Sequence, residues 1–112
     1  MEKELRFKER ISHLAAQFLS KESSRLSLIT VTRAEISKDF KNSIIYITVL
    51  PESNEKEALE FVKRKRSDFR QYVKANSRLF RIPFFDFEID VGEKVRQKID
   101  LISNEPSDKL SE

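Results

Sequence analysis

The chain has 112 residues, of which 38% are hydrophobic, with nine Phe, no Trp and no Cys. That is enough apolar material for one domain with a modest core, and too much for a disordered charged chain. The formal net charge is only +3 although 37% of the residues are charged, so where the charges lie carries more information than their sum.

The lack of cysteine excludes disulfides, thiolate zinc sites and a cysteine nucleophile. No apolar run approaches the roughly 18 residues of a membrane span. The N-terminal Met1-Glu2-Lys3-Glu4-Leu5-Arg6 leads into no signal-peptide core, so a cytoplasmic location is expected.

Residues 4–20 read as an amphipathic helix. Phe7, Ile11, Leu14, Ala15 and Phe18 recur at steps of three and four, and Arg6, Arg10 and Lys21 lie off that face. Ser20-Lys21-Glu22-Ser23-Ser24 ends it. Residues 27–36 and 43–50 are dense in β-branched side chains and read as two strands. The polar stretch from Ser37 to Asn42 joins them as a hairpin.

Pro51 stops the second strand. Asn54 and Glu57 are spaced as a capping box, and a helical pattern then runs from Glu55 to about Phe80, with a kink or break expected near Ser67. Ile82-Pro83 closes it, because the residue before Pro is pushed out of the α region. Phe84 to Val91 alternates as a third strand, with Phe85, Phe87, Ile89 and Val91 on one face and Phe84, Asp86, Glu88 and Asp90 on the other. Gly92 punctuates its end. Val95, Ile99 and Ile102 suggest a short docked helix, and residues 103–112 a polar, frayed tail. The domain is therefore assigned to residues 1–92 and a C-terminal extension to 93–112. The class is α+β, with three strands and the helices gathered on one face.

Residues 63–81 hold Lys63, Arg64, Lys65, Arg66, Arg70, Lys74, Arg78 and Arg81 against the single acid Asp68. That surplus of seven leaves the remainder of the chain at −4 against the total of +3. Lys63, Arg66, Arg70, Lys74, Arg78 and Arg81 fall within an arc of about 120° on a helical projection. Phe61, Val62, Phe69, Tyr72, Val73, Leu79 and Phe80 fall in a neighbouring arc. One face is thus expected to pack on the sheet while the other forms a basic stripe.

An ordinary solvated helix face mixes Lys with Glu for intrahelical pairing. Here Glu55, Glu57 and Glu60 are confined to the first turns, and the bases follow unopposed. A polyanion-binding surface fits this pattern, because several phosphates can be neutralised together with release of their counterions. Arg can also fork onto phosphate oxygens or stack on an unpaired base.

Other constellations are weaker. The single histidine, His13, reads as a packed or surface residue. Asp86, Glu88 and Asp90 read as a solvated or acidic strand face before a cation site. With glycine only at position 92, no phosphate-cradling loop is available. No catalytic triad or carboxylate pair stands out, so no catalytic residue, metal or cofactor is assigned.

The ordered set of elements resembles the ribosome-binding factor A family. Arg25-Leu26 with the Val/Thr-rich strand that follows, and Ser37-Lys38-Asp39-Phe40-Lys41, resemble its first strand and turn. Ile44-Ile45-Tyr46-Ile47-Thr48-Val49-Leu50 resembles its second strand, and Arg78 through Asp90 its last helical turn, Pro and third strand. Arg10-Ile11 through Leu19 resembles its first helix. The likeness covers about residues 5–91.

The resemblance implies a single KH-like domain of type II, in the order helix-strand-strand-helix-(kink)-helix-strand. It implies a non-enzymatic ribosome assembly factor that binds the small (30S) subunit and its 16S rRNA during late maturation and pre-rRNA processing, with no membrane partner, acting as a monomer. The family's kink carries a small residue, any residue, then Gly. Here Lys65, Arg66 and Ser67 occupy it and make it more basic. Lys63, Arg64, Lys65, Arg66, Ser67, Arg70, Lys74, Arg78 and Arg81 are the expected RNA-binding residues. Two alternatives stand beside this reading: a KH-like module for other single-stranded RNA, and a protein-interaction domain for an acidic partner.

Overall fold

The structure, a computed structural model, describes residues 2–22, 28–79 and 81–93. The expected helix near the N-terminus is α1 (Glu2–Glu22). It is followed by β1 (Leu28–Ile36) and β2 (Asn42–Leu50), a 3-10 turn (Glu52–Asn54), α2 (Glu55–Arg64), α3 (Arg66–Asn76) and β3 (Phe84–Ile89). The sheet order is β1-β2-β3, with β1 antiparallel and β3 parallel to β2. Parallel pairing of β2 and β3 requires a long crossover, which the two helices supply. The expected short helix with Val95, Ile99 and Ile102, and the tail, lie outside the described residues.

Register assigns every strand residue to a face. Ile45, Ile47 and Val49 of β2, with Ala34 of β1 and Phe85 and Phe87 of β3, are buried beneath the helices. Phe7, Ile11, Leu14, Ala15, Phe18 and Leu19 of α1 meet them from above. Phe69 of α3 is fully buried at the centre, its ring centroid 5.3 Å from Phe18, 4.7 Å from Phe85 and 5.8 Å from Phe87. Burying a ring of this size contributes roughly 1.5–3 kcal/mol. The other face of the sheet carries no helix among the described residues. It holds Arg33, Glu35, Tyr46, Asp86, Glu88 and Asp90.

Four features differ from the sequence expectation. The capping box is not made: Asn54 belongs to the 3-10 turn and gives α2 no side-chain cap. The helical run breaks at Lys65, two residues before Ser67. There φ −95° and ψ 8° lie in the bridge region, and the Lys65 N–H bonds back to Val62 O at 3.0 Å. The run also ends at Asn76 and does not reach Phe80. Asn76 Nδ2 bonds to Tyr72 O at 2.8 Å and Ser77 Oγ to Val73 O at 2.7 Å, so side chains take over the last-turn carbonyls, and Ser77 is extended. Finally, β3 stops at Ile89 and not Val91. Asp90 turns its carboxylate onto the Glu93 N–H at 2.9 Å, capping a helical turn at 91–93 that contains Gly92 and leaves Val91 exposed.

The hairpin is irregular in one place. The register skips Thr32 between Val31 and Arg33, a β-bulge. The bulge brings the Thr32 hydroxyl to Asp90 Oδ2 at 2.5 Å and within 3.3 Å of Tyr46 O. A hydroxyl has one proton, and the short contact to a carboxylate is the stronger claimant.

Candidate nucleic-acid interface

The break at Lys65 and the early end of α3 divide the sequence stripe into three groups. Lys63 and Arg66 lie on either side of the break. Lys63 Nζ is 2.8 Å from Asp86 Oδ1 and 3.3 Å from Glu88 Oε2, and Arg66 Nη1 is 3.2 Å from Asp86 Oδ1. Both carboxylates belong to β3, an edge strand, so this basic pair is tied to the acidic rim of the sheet. Burial works against the charge on Lys63, but the bonds to Asp86 and Glu88 outweigh it and raise its pKa. Burial likewise opposes ionisation of Asp86, and Lys63, the Phe87 N–H and Arg66 together lower its pKa.

Arg70 and Arg81 form the second group. Arg70 Nε and Nη2 donate to the carbonyls of Pro83 (3.1 Å) and Ile82 (2.9 Å), and its guanidinium lies 4.7 Å from the centre of the exposed Phe84 ring. Arg81 Nη1 donates to Asp39 O at 3.3 Å. These acceptors are neutral. They orient the guanidinium groups without cancelling their charge, which remains available to an anion.

The third group is exposed: Arg64, Ser67, Lys74 and Arg78. Lys65 is half-buried at the break, 3.9 Å from Asp68 Oδ2 and 5.6 Å from the Phe61 ring centre. Arg81 and Arg78 lie beyond α3, so this end of the stripe is carried by the segment returning to β3 and not by a helix.

Sequence reasoning missed a contribution from α1. Arg10 Nη2 donates to Asn76 O at 3.0 Å, at the C-terminal end of α3, where the helix dipole favours a cation. Arg10 also lines a shallow depression with Arg78. The signal was present, since Lys3, Arg6 and Arg10 repeat the spacing of three and four used for the stripe. The sequence alone does not show that α1 lies beside the end of α3.

The open sheet face has the opposite character. Asp90 has a 4% exposed side chain and is 3.4 Å from Arg33 Nε. Burial would raise its pKa, but the Thr32 hydroxyl, the Glu93 N–H and Arg33 hold it below the ordinary aspartate value. Arg33 spans this cluster, 2.7 Å from Glu35 Oε2 and stacked 3.9 Å over the Tyr46 ring. Glu35, Asp86, Glu88 and Asp90 outnumber it, so this face disfavours a polyanion. His13 is exposed and lies 3.2 Å from Gln17 Nε2. Among the described residues no group of three His, Asp or Glu is placed to hold a metal ion, and no helix is long and apolar enough to cross a membrane.

A family model described as Ribosome-binding factor A matches residues 3–102. The chain belongs to the ribosome-binding factor A family. The ribosome-binding factor A of Fervidobacterium nodosum is 35% identical over 74 residues, 65% of this chain and 59% of that protein. The one from Kosmotoga olearia is 34% identical over 80 residues, 70% of this chain and 64% of that protein. The matched stretch thus spans less than two thirds of either relative. The crystal structure of ribosome-binding factor A from Thermus thermophilus superposes with a TM-score of 0.69 at 19% identity, over 77% of this chain and 94% of that one. At that identity the likeness shows the fold. The α+β order, the three-stranded mixed sheet and the broken helix are the arrangement expected for the family.

Proposed function

We propose that this protein is a non-enzymatic assembly factor that binds the small (30S) ribosomal subunit through its 16S rRNA and assists late maturation and pre-rRNA processing in the cytoplasm, as a monomer. Membership of the ribosome-binding factor A family carries the reading. The basic groups on the helical side support it chemically. Arg70 and Arg81 are held in place by neutral carbonyls, beside the exposed Arg64, Ser67, Lys74 and Arg78. Pre-oriented cations of this kind suit phosphate oxygens, which position a backbone without reading its sequence. Lys63, Lys65 and Arg66 complete the surface at the break, and the protein holds one rRNA conformation until maturation proceeds.

The test is sedimentation with ribosomal particles as salt is raised. The wild type is expected with free small subunits and not with translating ribosomes. Changing Arg66, Arg70 and Lys74 together to Glu is expected to abolish co-sedimentation and to lower the slope of log affinity against log salt by about 2, from three lost contacts. Undiminished binding of that variant removes these residues from the interface.

A further inference from the structure

Beside the basic surface lies a cavity of about 850 Å³, with Phe7 of α1, Phe40 of the hairpin turn and Leu79 of the return segment as its apolar walls. Its rim carries Lys3, Arg6, Arg10 and Arg81. The one acid among the described lining residues, Asp39, is engaged within its own turn by the Ser37 hydroxyl at 2.7 Å and the Lys41 N–H at 3.0 Å. The size lies within the usual range of small-molecule sites, roughly 300–1,000 Å³.

The backbone supplies a second, independent observation. Phe40 has φ 60°, in the left-handed region that a bulky side chain rarely enters. The turn is bonded on all sides, with Phe40 N to Ser37 O at 2.9 Å, Ser37 N to Asn42 O at 2.8 Å and Asn42 N to Ser37 Oγ at 3.0 Å. It therefore holds the Phe40 ring against Phe7, centroids 5.1 Å apart and planes at 84°, without filling the space beside them. Strain maintained in this way points to a role for the ring.

From these features we infer that the cavity receives the base of an unpaired RNA nucleotide, with the flanking phosphates on the cationic rim. Aromatic walls accept any base face, and a ring of cations around an apolar interior matches a base between two phosphates. The rim is continuous with the proposed interface. Arg10 lines both this cavity and the depression at Arg78, and Arg81 stands next to the Ile82 and Pro83 carbonyls that hold Arg70. The inference rests on the RNA-binding reading and adds to it a place where the base itself is held.

The experiment compares the whole protein's affinity for a short single-stranded oligoadenylate and for the same strand made abasic, which carries identical phosphates. The abasic strand is expected to bind the wild type about 10-fold more weakly. Phe40→Asn, which tolerates the left-handed turn but lacks the ring, is expected to bind both strands at the abasic level, with its fold checked by circular dichroism. Leu79→Gln, on the half-exposed return segment, is expected to narrow the difference as well. Equal affinity of the wild type for the two strands overturns the base site while leaving the phosphate interface intact. Binding to neither strand, nor to ribosomal RNA at low salt, overturns both. A cavity that instead prefers an acidic peptide bearing an aromatic residue to either strand belongs to a protein partner, and that result also overturns the inference.

Discussion

At the break between α2 and α3, Lys63 and Arg66 reach Asp86 and Glu88 over distances of 2.8 to 3.3 Å. At the base of β3, Arg70 and Arg81 reach the carbonyls of Pro83, Ile82 and Asp39 over 2.9 to 3.3 Å. The distances are alike, but the electrostatic results are opposite. Two carboxylates cancel most of the field of the first pair. Carbonyls leave the second pair charged while restricting the rotamers that a ligand would otherwise have to immobilise. A basic residue's value to a polyanion thus depends on whether its resting partner is charged, which its place on a helical wheel does not disclose.

The largest expected effect tests that contrast directly. Arg70→Glu with Arg81→Glu should lower RNA affinity about 100-fold at low salt, while Lys63→Gln with Arg66→Gln should lower it less than about 3-fold. Parallel titrations by fluorescence anisotropy would decide, and equal losses would erase the distinction.

The same logic with the sign reversed applies to Asp90, whose charge is held mainly by the neutral Thr32 hydroxyl and Glu93 N–H. Asp90→Ala leaves those donors without their acceptor and should cost about 2 kcal/mol of stability in urea titrations.

A pH series sharpens this further. The pKa of Asp90 is lower in the folded protein than its ordinary value of 3.8, so the unfolded chain takes up the proton first. Its stabilisation is complete above that value and disappears as pH falls through the folded one. Asp90→Asn should therefore flatten the acid limb of the stability profile below about pH 4.

The smallest expected effect is Asp86→Asn. It releases Lys63 and Arg66 from one carboxylate, should raise RNA affinity about 3-fold, and should change stability by less than about 1 kcal/mol, because the pair is substantially exposed.

The core was legible from the sequence because its signals are local and periodic. The three- and four-residue recurrence of Phe7, Ile11, Leu14 and Phe18, and the alternation through Phe85 and Phe87, both describe buried faces. What was not legible depended on side chains acting across the fold. Nothing local announces that Asn76 and Ser77 take the carbonyls that would have carried α3 to Phe80, or that Asp90 leaves its strand to serve the Thr32 bulge. The candidate site was legible as an excess of charge near residues 63–81. Its division into cancelled and uncancelled cations was not, because the partners are 12 to 42 residues away. Nor was the share of α1 legible, since Arg10 meets Asn76 only in three dimensions, 66 positions apart.

The opposed faces of the molecule have a kinetic consequence. With carboxylates across the open sheet and cations across the helical side, a polyanion exerts a torque on the protein during approach. Encounters through the sheet are repelled, and those through the helices are drawn in. The protein should therefore arrive at RNA already turned to the correct side, with an association rate that falls as salt screens the field beyond a Debye length of roughly 8–10 Å. Departure, governed by short-range contacts, should be far less sensitive to salt than arrival.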